Sequence, residues 1–367
     1  MYGDNVLDRL PQIIGDYGRK ILFISGRSSL RQNKAFQAIY PKIKPYIANH
    51  RAGVPPNPDI SDILEILEYL RSYQQKYDAI LAIGGGSVID AAKAVSALYG
   101  NRSLSIEGLR KAIVDKKFAI KKLPVIAVPT TAGTGSETNP WATIWDRAMN
   151  TRHSIGDETM FPVCAVVDAR LSATMPTKVA VSSGLDALCH AMEGFWAKKG
   201  NAVSRLYSAK AISLVLNHLE QAVKYPDLIK HKQGMALASA LSGVSLSIAK
   251  TTLCHAISYP LTLKYKVDHG IACAITLNEV YQYNKGSFAD EDILTELIVK
   301  GIHHQSLGNY VKNLCSLASI PTRLADYGIT RESLPELAEK SYSPNNIANN
   351  PKDAGAEDIL DLLKKVY

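Results

Sequence analysis

Asp186 and His190 stand four apart in the run LDALCHAM at 185–192. On a helix that spacing puts both side chains on one face, close enough to share an ion. Such a pair is most often a solvated surface couple. Here, however, the flanks are Leu185, Ala187, Leu188, Ala191 and Met192, and polar groups on an apolar helix are expensive unless paired or bound to metal. His255 opens the run HAISYP, and His269 lies in Asp268-His269-Gly270. One carboxylate and three imidazoles suit a divalent transition ion such as iron or zinc. Among the other histidines, His153, His218, His231, His303 and His304 have no comparable setting, although a substrate role is open to His153. Cys189 and Cys254 adjoin ligand candidates, but neighbouring helix positions face away, so both read as core cysteines.

A second chemistry is written in glycine. Gly84-Gly85-Gly86-Ser87 lies directly between a short apolar run and a helical stretch. It is not a GxGxxG fingerprint. Even so, glycines let backbone approach a phosphate, and the N–H groups at a helix start favour negative charge. Gly85, Gly86 and Ser87 are therefore the best pyrophosphate cradle in the chain, with a plain tight connection as the alternative. The run PTTAGTGSE at 129–137 supplies Thr130, Thr131 and Thr134 after another apolar run. Ligands of open α/β sheets bind beyond the carboxyl ends of strands, so two such loops favour a dinucleotide over a single phosphate. The turn Ser25-Gly26-Arg27-Ser28-Ser29 lacks the acid that would hold a ribose 2′-hydroxyl; Arg27 suits a 2′-phosphate instead, or is an ordinary exposed arginine.

Several elements must position these groups. KILFIS (20–25), AILAIG (79–84), LPVIAVPT (123–130) and CAVVDA (164–169) read as strands buried on both faces of a parallel sheet. Helical stretches at 59–76, with Asp59 or Ser61 as N-cap, and at 87–99 fall between them. After about residue 172 the spacing is helical throughout, at 176–198, 201–223, 232–250, 306–318, 331–341 and 356–366, with Pro176 at the first helix start. The expected architecture is a parallel-sheet α/β domain over 1–172 and an all-α domain over 173–367. Hydrophobic residues are 46% and charged residues 21% of the 367, which excludes wholesale disorder. No apolar run reaches membrane-spanning length, and the first residues carry acids without a secretory apolar core. Five cysteines without a CxxC argue against a disulfide scaffold or thiolate zinc site and point to a reducing cytoplasm. A net charge of +8 suits an anionic small molecule or phosphorylated cofactor, or serves solubility alone; no nucleic-acid-binding motif accompanies it.

The ordered series of Gly84 to Asp90, Pro129 to Glu137, Asp186 to Glu193, then His255 and His269 resembles the iron-containing (group III) alcohol dehydrogenase family over nearly the whole chain. The resemblance implies an N-terminal dinucleotide-binding domain, a C-terminal helical domain, and metal and substrate in the cleft between them. It implies Asp186, His190, His255 and His269 as metal ligands, with Fe(2+) as the ion and Zn(2+) as a competitor. It also implies Gly85, Gly86 and Ser87 at the pyrophosphate, Thr130, Thr131 and Thr134 around the nicotinamide half, Asn57 on the cofactor side, and Arg152 near the ribose, with NADPH or NADH as cofactor. Many relatives are dimers or larger, so a homodimer is expected.

Three departures from the family pattern matter. The opening strand before residues 2–10 is missing or very short. Tyr259 stands where many members have a second histidine, four after the third ligand. Trp141 replaces smaller pocket residues. Within the family, residues 141–146, 152–154 and 250–262 look most like phosphonoacetaldehyde reductases, also called hydroxyethylphosphonate dehydrogenases. That implies reversible reduction of a small anionic aldehyde, with Arg152, His153 and Lys250 as anion-binding candidates, Trp141 narrowing the pocket, and Tyr259, water or the cofactor ribose relaying a proton.

A broad short-chain dehydrogenase of the butanol or lactaldehyde type, a dehydroquinate-synthase-like lyase with no net NAD(P)H consumption, and a non-catalytic nucleotide- or DNA-binding protein are the alternatives. Arg27 makes a measurable difference: kcat/KM with NADPH is expected to equal or exceed that with NADH. A strong NADH preference in paired initial-rate assays would remove Arg27 from cofactor selection.

Overall fold

The computed structural model describes residues 1–27, 30–73, 75–101, 104–119, 122–303 and 305–367; Ser28, Ser29 and His304 lie outside the described residues. Two compact units emerge. One comprises 1–131 and 136–175, the other 132–135 and 176–367. The division thus falls a few residues after the expected one, and a short loop carrying Thr134 belongs to the second unit.

The first unit is a five-stranded parallel sheet. Its strands are β1 (Ile21–Gly26), β2 (Ile47–Val54), β3 (Ala79–Gly84), β4 (Val125–Pro129) and, after a hairpin of β5 (Ala142–Asp146) and β6 (Thr151–Ile155), β7 (Cys164–Ala165). The order is β2-β1-β3-β4-β7. The connecting helices are α1 (Leu10–Tyr17), α2 (Lys34–Ile43), α3 (Ile60–Ser72), α4 (Gly86–Leu98) and α5 (Ile106–Val114).

β3 and β4 are buried along their whole length, as the apolar runs require. β2 carries no unbroken apolar run because it is a half-exposed edge strand with Asn49, His50 and Arg51. β7 is shorter than its apolar run, and Val167 instead bridges Tyr2 in parallel, so residues at the start of the chain pair briefly at this edge. Asp59 caps α3 in a capping box with Asp62, which decides between the two candidate caps.

The second unit is helical: α6 (Thr177–Trp196), α7 (Ala202–Lys224), α8 (Ile229–Ala249), α9 (Leu253–Tyr265), α10 (His269–Ile275), α11 (Leu277–Asn284), α12 (Glu291–Gly301), α13 (Leu307–Leu317), α14 (Leu334–Lys340), α15 (Pro344–Ile347) and α16 (Ala356–Lys365). α6 is the central helix, buried along nearly all of its second half. α9 was blurred in the sequence by Pro260, and α10 by its length. No single helix among the described residues is long and apolar enough to cross a membrane.

The hairpin is pinned to the sheet unit by buried charge. Asp146 accepts from Arg110 Nε at 2.6 Å and from Nη2 at 2.9 Å. The Arg110 hydrogen bonds hold the Asp146 carboxyl below its ordinary pKa, against the opposing effect of burial. A depressed carboxyl contributes stability that is complete above its unfolded pKa, about 3.9, and is lost as pH falls through the lower folded value. Asp146→Asn is therefore expected to flatten the acid limb of the stability–pH profile, and Asp146→Ala to cost about 2–3 kcal/mol in urea unfolding at pH 7. Matching acid limbs for wild type and Asp146→Asn would refute this.

Candidate active site

α6 carries the first ligand candidates because its buried half reads Leu185 to Trp196 with only Asp186, His190 and Glu193 bearing ionisable heads apart from Cys189. Asp186 and His190 are 3% and 6% exposed. α9 brings His255 and α10 brings His269 to the same point. Gly270 lets α10 approach: a Cβ there would stand 1.9 Å from Ser182 O of α6, a separation that no side chain tolerates.

Asp186 Oδ1 is the focus. It lies 3.6 Å from His255 Nε2, 3.9 Å from His190 Nδ1 and 4.0 Å from His269 Nε2. His190 Nε2 and His255 Nε2 are 3.0 Å apart. Yet Asp186 Oδ1 and His190 Nδ1 are buried without a hydrogen-bond partner. A buried carboxylate oxygen ringed by imidazole nitrogens, and bonded to none, fits a cation. Ligand atoms around one first-row ion stand about 3–3.5 Å apart, so small inward shifts would complete the shell. Burial opposes ionisation of Asp186, but His190, His255 and His269 together hold its pKa below the ordinary range. Burial pushes His190 down to about 4 despite the nearby Asp186, leaving an imidazole with its lone pair available at neutral pH. The four side chains singled out in the sequence thus converge.

Two further residues join them. Glu193, 0% exposed, accepts from His255 Nδ1 through one oxygen. Its other oxygen accepts from Thr252 Oγ1 and Cys254 N, both at 2.8 Å, and Trp196 Nε1 donates to Thr252 Oγ1 at 3.0 Å. This chain orients His255 with Nδ1 on Glu193 and Nε2 turned toward Asp186, the usual carboxylate support of a ligating histidine. The signal was present in the sequence: Glu193 follows His190 by three in an apolar helix. The second residue is Cys273, whose Sγ is 3.9 Å from His269 Nε2.

The cofactor candidates of the sheet unit cluster at the ends of β3 and β4. No side chain caps the start of α4, whose N-cap is Gly85. A Cβ on Gly84 would meet Val88 at 2.4 Å and one on Gly85 would meet Thr131 Oγ1 at 3.2 Å, so both positions admit little beyond hydrogen. Thr130 N donates to Gly84 O at 2.9 Å. Asn57, at φ 54°, donates its N–H to Ser87 Oγ at 3.0 Å. This anion-ready helix start suits a pyrophosphate. Gly26 ends β1 and Arg27 follows it, exposed. Asp90 and buried Lys93 hold the loop beyond: Lys93 Nζ donates to Ser136 Oγ, Asn139 O and Trp141 O, and Thr143 N donates to Asp90. Gly133 and Gly135 serve packing in the helical unit, where a Cβ would strike Ser183 and Gly243 respectively.

The substrate candidates are divided between the units. Trp141 leans on Gly156, where a Cβ would meet its ring at 2.5 Å. Arg152 and His153 lie on β6, opposite Trp145 and Ile144, and His153 Nε2 is 3.5 Å from Asp146. Lys250 is the exposed C-cap of α8. Tyr259 stacks on His269, the rings 7° from parallel with centroids 6.3 Å apart.

Residues 1–169 match the family described as iron-containing alcohol dehydrogenase, and residues 180–367 match its C-terminal domain. The chain belongs to the iron-containing alcohol dehydrogenase family. Its fold resembles the sulfoacetaldehyde reductase of Bifidobacterium kashiwanohense, solved with NAD+, at a TM-score of 0.88, 26% identity and coverage of 100% of this chain and 96% of that one. The NADPH-dependent butanol dehydrogenase of Clostridium saccharobutylicum is 26% identical, covering 100% of this chain and 95% of that protein. An aldehyde-alcohol dehydrogenase of Streptococcus pneumoniae is 36% identical over 205 residues, 54% of this chain but only 22% of that protein's length. The family's iron and nicotinamide dinucleotide fit the residues described above.

Glu193→Gln is expected to weaken metal binding by about 10–100-fold with the circular dichroism spectrum unchanged. Competition against a chromophoric chelator measures this, and unaltered affinity would leave Glu193 without a role at the ion.

Proposed function

We propose that this chain is a metal-dependent NAD(P)H oxidoreductase that reduces a small anionic aldehyde, phosphonoacetaldehyde to 2-hydroxyethylphosphonate. The overall balance is aldehyde, NAD(P)H and a proton giving primary alcohol and NAD(P)+, with hydride passing from nicotinamide to the carbonyl carbon.

Lys250 is the observation that carries this reading. Its backbone sits at φ 60° and ψ 177°, a region that essentially only glycine occupies, at a cost of about 1–3 kcal/mol. A lysine held there, five residues before ligand His255, is a strained cation in the connector leading into the site. Strained backbone of this kind clusters at active sites and ligand clamps. The sulfoacetaldehyde reductase neighbour is named for a two-carbon aldehyde with an acid group, which supports the same substrate class.

Asp186, His190, His255 and His269 hold the ion, and Glu193 orients His255. A divalent ion bound there supplies Lewis-acid polarisation of the aldehyde oxygen. Lys250 binds the phosphonate and orients the substrate. Gly85, Gly86, Ser87, Asn57, Thr130 and Thr131 bind the dinucleotide, and Arg27 admits its 2′-phosphate. Tyr259, stacked on His269, is the protein's own candidate for delivering the proton. The second reading is a broad short-chain alcohol dehydrogenase, favoured by the full-length likeness to the butanol enzyme.

A substrate panel separates the two readings. Phosphonoacetaldehyde is expected to exceed butanal and lactaldehyde in kcat/KM. Lys250→Ala should raise KM for phosphonoacetaldehyde by about 10–100-fold, the loss of one charge-assisted contact, with a much smaller change for butanal. A preference for uncharged aldehydes would establish the broad enzyme instead.

A further inference from the structure

The Asp186 site has one more donor than the four-ligand set supplies. Cys273 follows His269 by four positions, so one turn of α10 puts both on the same face. Its Sγ, an Asp186 oxygen and one nitrogen each of His255 and His269 all lie within 4.8 Å of one another; His190 is outside that group and joins through its Nε2, 3.0 Å from His255 Nε2. Among the described residues no other cysteine joins such a group; Cys189, Cys254 and Cys315 stay outside it. The Sγ to His269 Nε2 separation of 3.9 Å is close to that of two donors on one ion, since bonds of about 2.3 Å to sulfur and 2.1 Å to nitrogen, at the roughly 90–120° angles of a five-donor shell, place them about 3.1–3.8 Å apart.

The surroundings point at an ion rather than at a thiol packed for its volume. Asp186 Oδ1, 3.6 Å from His255 Nε2, is buried with no hydrogen-bond partner, and Glu193 holds the opposite nitrogen of that imidazole, so that Nε2 faces the same point. Burial is also asymmetric. Cys273 is 0% exposed, whereas the His269 side chain is 27% exposed. Sulfur therefore approaches from the interior of the helical unit and leaves the solvent-facing side open.

We propose that Cys273 is a fifth donor to the ion, a buried thiolate that makes the site softer than one carboxylate and three imidazoles would be. The inference rests on the metal-binding reading of Asp186, His190, His255 and His269. On coordination the thiol proton passes to solvent and the sulfur lone pair enters the bond; nothing is oxidised or reduced. A thiolate favours zinc and cobalt over ferrous iron relative to an all-nitrogen and oxygen site.

Cobalt(II) is the probe. The full-length protein, stripped of metal and reloaded with cobalt, is expected to show visible ligand-field bands together with a near-ultraviolet sulfur-to-cobalt charge-transfer band. Cys273→Ala and Cys273→Ser should keep the ligand-field bands and lose the charge-transfer band, and the bound zinc-to-iron ratio at equal supply should fall by about tenfold. Ligand-field bands without charge transfer in the wild type would overturn the thiolate while leaving the four-ligand site standing. So would a charge-transfer band that persists in folded Cys273→Ala. No cobalt spectrum at all would remove the metal site and this proposal with it. The wild-type spectrum alone decides the matter if neither variant folds.

Discussion

A single carboxylate oxygen organises the helical unit. Asp186 Oδ1 is buried on the central helix, faces three imidazoles and makes no hydrogen bond. An unpaired buried charge costs several kcal/mol, so the sequence around it is intelligible only with a cation to complete the set. Gly270 removes a side chain so that α10 can reach α6. Glu193 spends its whole hydrogen-bonding capacity on His255 and the backbone and hydroxyl at the start of α9. Trp196 and Thr252 extend that support into the core.

The sheet unit solves a different problem, exposing backbone to an anion at the end of a buried strand. Gly84 and Gly85 admit no Cβ without pressing on Val88 and Thr131. The helix behind them starts without a side-chain cap, which leaves its positive end for a ligand. Asp90 and Lys93 lie further along the same helix. They fasten the loop that leads to Trp141 and the β5–β6 hairpin. Burial lowers Lys93 to about 8 against the pull of Asp90 and Glu137.

Much of this was legible in the residues. Fully buried β3 and β4 announce themselves as unbroken apolar runs, and α6 as a helical period interrupted by an acid and an imidazole four apart. The half-exposed β2 did not, because an edge strand carrying Asn49, His50 and Arg51 looks like loop. His153 lies in the run 152–154, and only the fold shows its Nε2 3.5 Å from Asp146, the carboxylate that also accepts from Arg110. The run 129–137 reads as a polar loop through its threonines, and the fold uses its Gly133 and Gly135 for close approach within the helical unit.

By itself the sequence determined the ligand types, the glycine turn, the order of a sheet unit and a helical unit, and the i,i+4 pairing of Asp186 with His190. Those depend on local period and on side-chain chemistry, which are read along the chain. Only the tertiary structure decided that α9 and α10 carry His255 and His269 to that pair, that Glu193 stands behind one imidazole, and that Cys273 faces the same point from the interior. Those are meetings of residues up to 87 positions apart, fixed by how helices pack and not by anything their neighbours in sequence dictate.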